Sequence, residues 1–255
     1  MRATWLASFC FVLIACVWAF HLPLEAWIAV QNLAAPESAQ LNRQRLLNAG
    51  NTAHAALRKA LDSSELDHRL AAARVLALRG DQSGERVLFD ILHAHSEPDD
   101  SLGARAETYL AELWDVRDGP GSAQRERLSR AAGAASDRDM LPVLNELLEK
   151  YPGWSGGYLR RAKLYLRNGE GVEARRQALI ALAIDEANFE AMVVLAQAYL
   201  LLNSPDQSYV CLQQAVRLNP RLRHTLQEEI KETIKSIDLE RARRRRERRR
   251  DVPVA

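Results

Sequence analysis

The chain has 255 residues, 47% hydrophobic and 27% charged, with only 12 Gly and 9 Pro. That length carries one large domain or two small ones with real cores, and the preponderance of Ala, Leu, Arg and Glu over β-branched runs argues against β architectures and for helices. The net charge of +2 is unevenly placed: residues 241–250 hold eight Arg and one Glu, a local +7, so the remainder is mildly acidic at −5.

The first element is "TWLASFCFVLIACVWAF", Thr4 to Phe20, 17 residues without a charge, preceded by Arg2. As a helix it spans about 25 Å, at the short end of what crosses a bilayer. A helix apolar all round does not suit the surface of a soluble body. Leu24, Trp27 and Ile28 follow at i, i+3 and i+4, the spacing of an interfacial stripe, and Trp5, Trp18 and Trp27 suit headgroup depth. The expectation is an uncleaved signal anchor, a transmembrane segment within residues 1–33. Two alternatives stay open. Val17-Trp18-Ala19 offers small residues for signal cleavage and a secreted protein, and Leu13-Ile14-Ala15-Cys16 resembles a bacterial lipobox. Arg2 on the N-terminal side favours a single pass through the inner (cytoplasmic) membrane with the body on the periplasmic side. Of the three cysteines, Cys10 and Cys16 lie in this segment and Cys211 is left alone in the body, so no disulfide framework is available there.

Ala34-Ala35-Pro36-Glu37-Ser38 reads as a linker, with Ser38 capping a helix to about Ala49. Further helices are predicted to begin at Asn51, at Ser63/Ser64, at Ser83 and at Ser101, with Gly80 closing the second of these. Helix pairs recurring every 30–35 residues or so have the period of an α-solenoid. Asp67 to Leu92, with Arg69, the Ala71–Ala73 run, Leu76, Gly80-Asp81 and a second apolar helix, resembles a HEAT-like repeat. Residues 37–118 are therefore expected to form HEAT-like helical repeats.

A 34-residue period follows. It relates Ala162 to Ala196, Tyr165 to Tyr199, Gly169 to Asn203, Ala181 to Ala215 and Leu182 to Val216. Residues 155–188 and 189–220 each supply small residues where two helices cross, an aromatic in the first helix and a turn residue mid-repeat, and Pro220 closes the second. This pattern resembles the tetratricopeptide repeat family. Stepping back from Pro220 by the same period reaches Glu186 and then Pro152, so 121–152 reads as a degenerate third repeat with "MLPVLNELLEK" as its second helix. Residues 121–220 are expected to be tetratricopeptide repeats, and 221–240 a capping helix with Leu222, Leu226, Ile230, Ile234 and Ile237 on one stripe.

Gly153-Trp154-Ser155-Gly156-Gly157 spells G-x-S-x-G, the nucleophile-elbow pattern of serine hydrolases. That elbow needs a buried strand before the serine. Here a helical run precedes it, and no βαβ pattern occurs in the chain. Ser155 is instead expected to cap a helix, accepting from the Gly157 or Tyr158 N–H. His93 and His95 with Glu97, Asp99 and Asp100 read as a solvated loop rather than a metal site, and neither a phosphate loop nor zinc-ligand spacing is present. No catalytic residue, metal or cofactor is expected.

The family resemblance implies a concave groove lined by the first helix of each repeat. The matching positions are Leu159, Arg160, Lys163, Leu166 and Arg167, then Val193, Gln197 and Leu200. Leu159 stands where the chaperone-binding members of the family carry a clamp lysine, which argues against that specialisation. A groove of this composition favours an apolar or acidic peptide. The second candidate site is the basic tail, 241–255, with Arg241, Arg243, Arg244, Arg245, Arg246, Arg248, Arg249 and Arg250. Its Arg pairs at i, i+4 repel each other, so it is expected to fray in water and to order on anionic lipid or nucleic acid. The whole reads as an all-α, membrane-anchored, non-catalytic scaffold or adaptor that binds a protein or peptide in the groove. The alternative is an adaptor acting through the Arg-rich tail.

Overall fold

The computed structural model describes residues 26, 28–34, 39–134 and 137–250, and among these the only regular secondary structure is helical. The chain divides into two compact units, residues 1–91 and 92–255.

In the first unit a helical turn at 28–31 (α1) leads to α2 (Ala39–Asn48), a 3-10 turn (Gly50–Ala53), α3 (His54–Ala60), α4 (Leu66–Leu78) and the start of α5 (Gln82–Ala94). Ala26, Ala29, Val30 and Leu33 pack in one core with Leu46, Leu57, Ala72, Val75 and Leu76. Buried His68 on α4 donates from Nε2 to the Val30 carbonyl at 2.6 Å, and Asn42 Nδ2 donates to the Asn32 carbonyl at 3.1 Å. These contacts correct the assignment of this stretch to a membrane segment: Ala26, Ala29, Val30 and Leu33 are core of the folded body, while Ile28 is exposed. Thr4–Phe20 lies outside the described residues, as do Leu24 and Trp27. Among the described residues no helix is long and apolar enough to cross a membrane, so the single-pass inner-membrane placement does not stand.

The turn after α4 is held by Asp81, whose carboxylate accepts from the Ser83 N–H at 2.8 Å and the Ser83 hydroxyl at 2.7 Å. Asp81 thus caps α5, which begins at Gln82, one residue before the expected start at Ser83. Its other oxygen accepts from Arg58 Nε on α3 at 3.0 Å. Hydrogen bonds from Arg58 and then Ser83 hold this carboxyl well below the usual carboxylate range.

The second unit contains α6 (Ser101–Val116), α7 (Ser122–Ala134), α8 (Asp137–Lys150), α9 (Ser155–Arg167), α10 (Gly171–Ile184), α11 (Phe189–Leu201), α12 (Pro205–Leu218), α13 (Leu222–Thr225) and α14 (Gln227–Arg250). A 34-residue offset carries α8 onto α10 and α10 onto α12 at both ends, and carries α9 onto α11 likewise. The turns repeat too. Gly169 and Asn203 take positive φ, 76° and 54°, and the residues ending α10 and α12, Asp185 and Asn219, share extended backbone near φ −130°, ψ 90°. From α7 to α12 each helix packs on its neighbour in sequence, and α14 packs on α12. Ala162, Ala178, Ala181, Ala196 and Ala215 are buried where the helices meet, with Leu195, Cys211 and Leu212 filling the space between them. Burial pushes the Cys211 thiol up, away from reactivity.

The segment expected as one capping helix breaks at Leu226, and the helix that follows continues to Arg250. Buried Leu226, Thr233 and Ile237, with half-buried Ile230, form its inward stripe, while Ile234 is 41% exposed. The spacing 226, 230, 233, 237 follows the 3.6-residue turn, and 234 falls off that line. Thr233 is tolerated inside because its hydroxyl donates to the Glu229 carbonyl at 2.7 Å.

Candidate functional site

The 34-residue offset sets Leu159 against Val193, Lys163 against Gln197 and Leu166 against Leu200 on adjacent helices, α9 and α11. Two concavities open on these helices. One, of about 450 Å³, is lined by Leu166, Phe189, Val193, Val194, Leu222 and Leu226, with Lys163, Arg167, Glu190, Gln197 and Thr225 around them. The other, of about 530 Å³, is lined from α6 by Thr108, Ala111, Glu112, Trp114 and Asp115, from α8 by Met140, and from α9 by Gly156, Leu159, Arg160, Lys163 and Arg167, with Glu190 again at its edge. Lys163, Arg167 and Glu190 are common to both. Seven of the eight groove positions read from the sequence therefore border one concavity or the other, while half-buried Leu200 borders neither.

The two differ in electrostatics. In the larger one, Arg160 donates to Asp115 Oδ1 at 2.8–2.9 Å, and Lys163 Nζ lies 2.7 Å from Glu190 Oε2. The side chains of Arg160 and Lys163 are 41% and 45% exposed, so these pairs are worth little in stability, yet they neutralise most of the positive charge the sequence suggested. The smaller concavity is chiefly apolar. Its charged lining is Lys163, Arg167 and Glu190. Gln197 hydrogen-bonds Glu229 of α14, whose carboxyl is raised by burial and only partly relieved by that bond.

α6, expected among the upstream helices, belongs to the second compact unit. It lies across the turns between the helix pairs. Asp115 O accepts from Trp154 Nε1 at 2.9 Å, and Trp114 meets Phe189 edge-on with ring centroids 4.9 Å apart. Arg117 Nη1 donates to Asp185 Oδ1 at 2.6 Å, and Glu107 accepts from Asn219 Nδ2 at 2.7 Å and from Arg221 Nε at 3.2 Å. Asp185 and Asn219, 34 residues apart and both buried, are thus bound by Glu107 of α6 and by Arg117 directly after it. Arg221 also donates to the carbonyls of His95, Glu97, Pro98 and Asp100, fixing the loop that enters α6.

This seating explains Gly153-Trp154-Ser155-Gly156-Gly157. A Cβ on Gly156 would lie 2.7 Å from the Trp114 carbonyl and 2.8 Å from Asp115 Cα, and one on Gly157 would lie 2.3 Å from the Trp154 ring. The glycines let α6 and the indole close on the first turn of α9. Ser155 is 0% exposed, follows a helix and a turn, and accepts from Asn188 Nδ2 at 3.4 Å. It is the first residue of α9, with Trp154 in the cap position, so the expected capping role is corrected. Asn188, one repeat on from Trp154, does cap its helix, accepting from Ala191 N–H at 3.0 Å.

His93 and His95 go separate ways. His93 Nε2 donates to the Leu218 carbonyl at 3.0 Å. His95 Nδ1 lies 2.8 Å from Asp100 Oδ2, and that hydrogen bond is the main cause holding the Asp100 carboxyl below its ordinary range. Among the described residues no group of three His, Cys, Asp or Glu side chains could hold a metal ion. Residues 241–250 form the last turns of α14. Comparison with protein-family descriptions, with characterised proteins and with solved structures finds no match to this chain.

Proposed function

We propose that this chain is a non-catalytic scaffold or adaptor and that residues 121–220 form a short α-solenoid of tetratricopeptide-like helix pairs. In this reading the first helices of the pairs present a groove to a peptide segment of a protein partner. The observation that carries it is the apolar concavity between α9, α11 and α13, where Leu166, Val193, Val194, Leu222 and Leu226 meet beside Lys163 and Arg167. An apolar concavity rimmed by a few polar groups is the usual form of a peptide or ligand site. The lining implies a segment with two or three apolar anchors. The 34-residue coincidence of helix ends and of the positive-φ turns supports the repeat reading independently of the groove.

Selection of a displayed random-peptide library on the full chain tests this. Enriched peptides are expected to carry apolar anchors and to lose at least tenfold in affinity on Val193→Glu. Leu179→Glu, at an exposed apolar position on α10, serves as control and should leave affinity unchanged. Enriched peptides that bind both variants equally would place the site elsewhere.

A further inference from the structure

We infer that residues 241–250 are a nucleic-acid-binding helix that grips the phosphates of a duplex. The inference rests on α14 alone and stands or falls separately from the groove. The backbone of α14 is helical to Arg250, with Glu228 and Glu229 in its first turn. Acid at the start and arginine at the end complement the helix macrodipole, which helps a run of like charges to stay helical. Repulsion remains: Arg241–Arg245, Arg244–Arg248, Arg245–Arg249 and Arg246–Arg250 stand at i, i+4, a destabilising relation that a polyanion would relieve.

Two polyanions compete, and the sequence of the helix separates them. A helix that embeds in a membrane interface buries an apolar face among the lipids, and a helix without one meets the surface by charge alone, along one side. Within 241–250 the single apolar residue is Ala242, and Glu247 is the other position not occupied by Arg. A duplex makes no such demand. Its major groove, about 12 Å wide, admits an α-helix between two rows of phosphates, whereas a membrane meets a helix from one side. The charge densities also match. Ten helical residues extend about 15 Å, a length over which a duplex carries about nine phosphates, against a local charge of +7. The remaining −5 of the chain repels a polyanion and confines binding to this helix.

The test is fluorescence anisotropy of a labelled 20-base-pair DNA duplex of arbitrary sequence with the full chain. Affinity is expected to fall by about a thousandfold between 50 and 200 mM salt, as for six or more phosphate contacts. Replacing all eight arginines by Gln should weaken duplex binding at least a hundredfold at 50 mM salt while the circular-dichroism melt is unchanged. A milder variant, Arg243→Gln with Arg244→Gln, covers misfolding of the first: it should lower the slope of log affinity against log salt by about 2. Duplex binding that survives the eightfold replacement, or a slope unmoved in the double variant, overturns the inference. So does Arg-dependent binding to phosphatidylserine vesicles that is tighter than duplex binding at the same salt.

Discussion

At the scale of single residues, Gly156 and Ser155 occupy neighbouring positions with opposite tolerance. Gly156→Ala drives a methyl into the backbone of α6, where the carbonyl of Trp114 and Cα of Asp115 cannot swing aside, and is expected to cost about 1–3 kcal/mol. Ser155→Ala removes one long hydrogen bond to Asn188 and is expected to cost about 1 kcal/mol with peptide binding intact. Urea unfolding of both variants checks the order; Ser155→Ala costing more than Gly156→Ala contradicts the seating of α6. Asp81 provides a pH handle on the first unit. Its carboxyl is depressed in the folded state by Arg58 and Ser83, so the stability it contributes is present above about pH 4, the unfolded carboxylate range, and is lost as pH falls below it. Asp81→Asn is therefore expected to destabilise at pH 7 and to flatten the decline in melting temperature between pH 5 and pH 2. An unchanged acid decline in that variant would show that other carboxylates set it. Two residue-level expectations give way for different reasons. The start expected at Ser83 falls at Gln82 because Asp81 does the capping, and Ser155, though a good capping type, is the buried first residue of its helix.

At the scale of elements, the 34-residue period was the most legible feature. Small residues at 162, 181, 196 and 215 and turn residues at 169 and 203 mark helix crossings and positive-φ turns by their chemistry alone. Ala181→Leu or Ala215→Leu is expected to destabilise by about 1–3 kcal/mol, because both side chains are buried at crossings with no room for three more carbons. Unchanged thermal melting for both would mean that the helices meet elsewhere. The place of α6 was not legible. Its apolar spacing is that of any amphipathic helix, and what seats it is a set of polar pairs, Glu107 with Asn219 and Arg117 with Asp185, formed across about 110 and 68 residues. One signal was available: Asp185 and Asn219 fall 34 residues apart, each directly after a helix, where a buried side chain needs an outside partner. The phase of α14 was misread for a simpler reason. Ile234 is apolar and Thr233 is not, but the helical turn brings 233 inward.

At the scale of the whole molecule, the two compact units differ in what they offer a partner. The first holds Ala26, Ala29, Val30 and Leu33 inside its core, so these apolar side chains are used for packing. The second carries both candidate sites, the groove and the arginine-rich end of α14. The groove was half legible. The resemblance pointed to Lys163, Leu166, Arg167, Val193 and Gln197, but Phe189, Val194, Leu222 and Leu226 complete the apolar lining and were invisible as a group, since they come from α11 and from α13 and the residue that follows it. The acidic partners Asp115 and Glu190 were missed as well, and they convert an expected basic groove into a largely apolar one. The most direct test is methyl-detected NMR of the full chain, with Leu and Val labelled, titrated with a library-selected peptide. The account predicts shifts at Leu166, Val193, Val194, Leu222 and Leu226, and none at Val172, Leu179 or Val210, which are exposed on α10 and α12. Shifts confined to those outer residues, with the groove methyls unmoved, would contradict it.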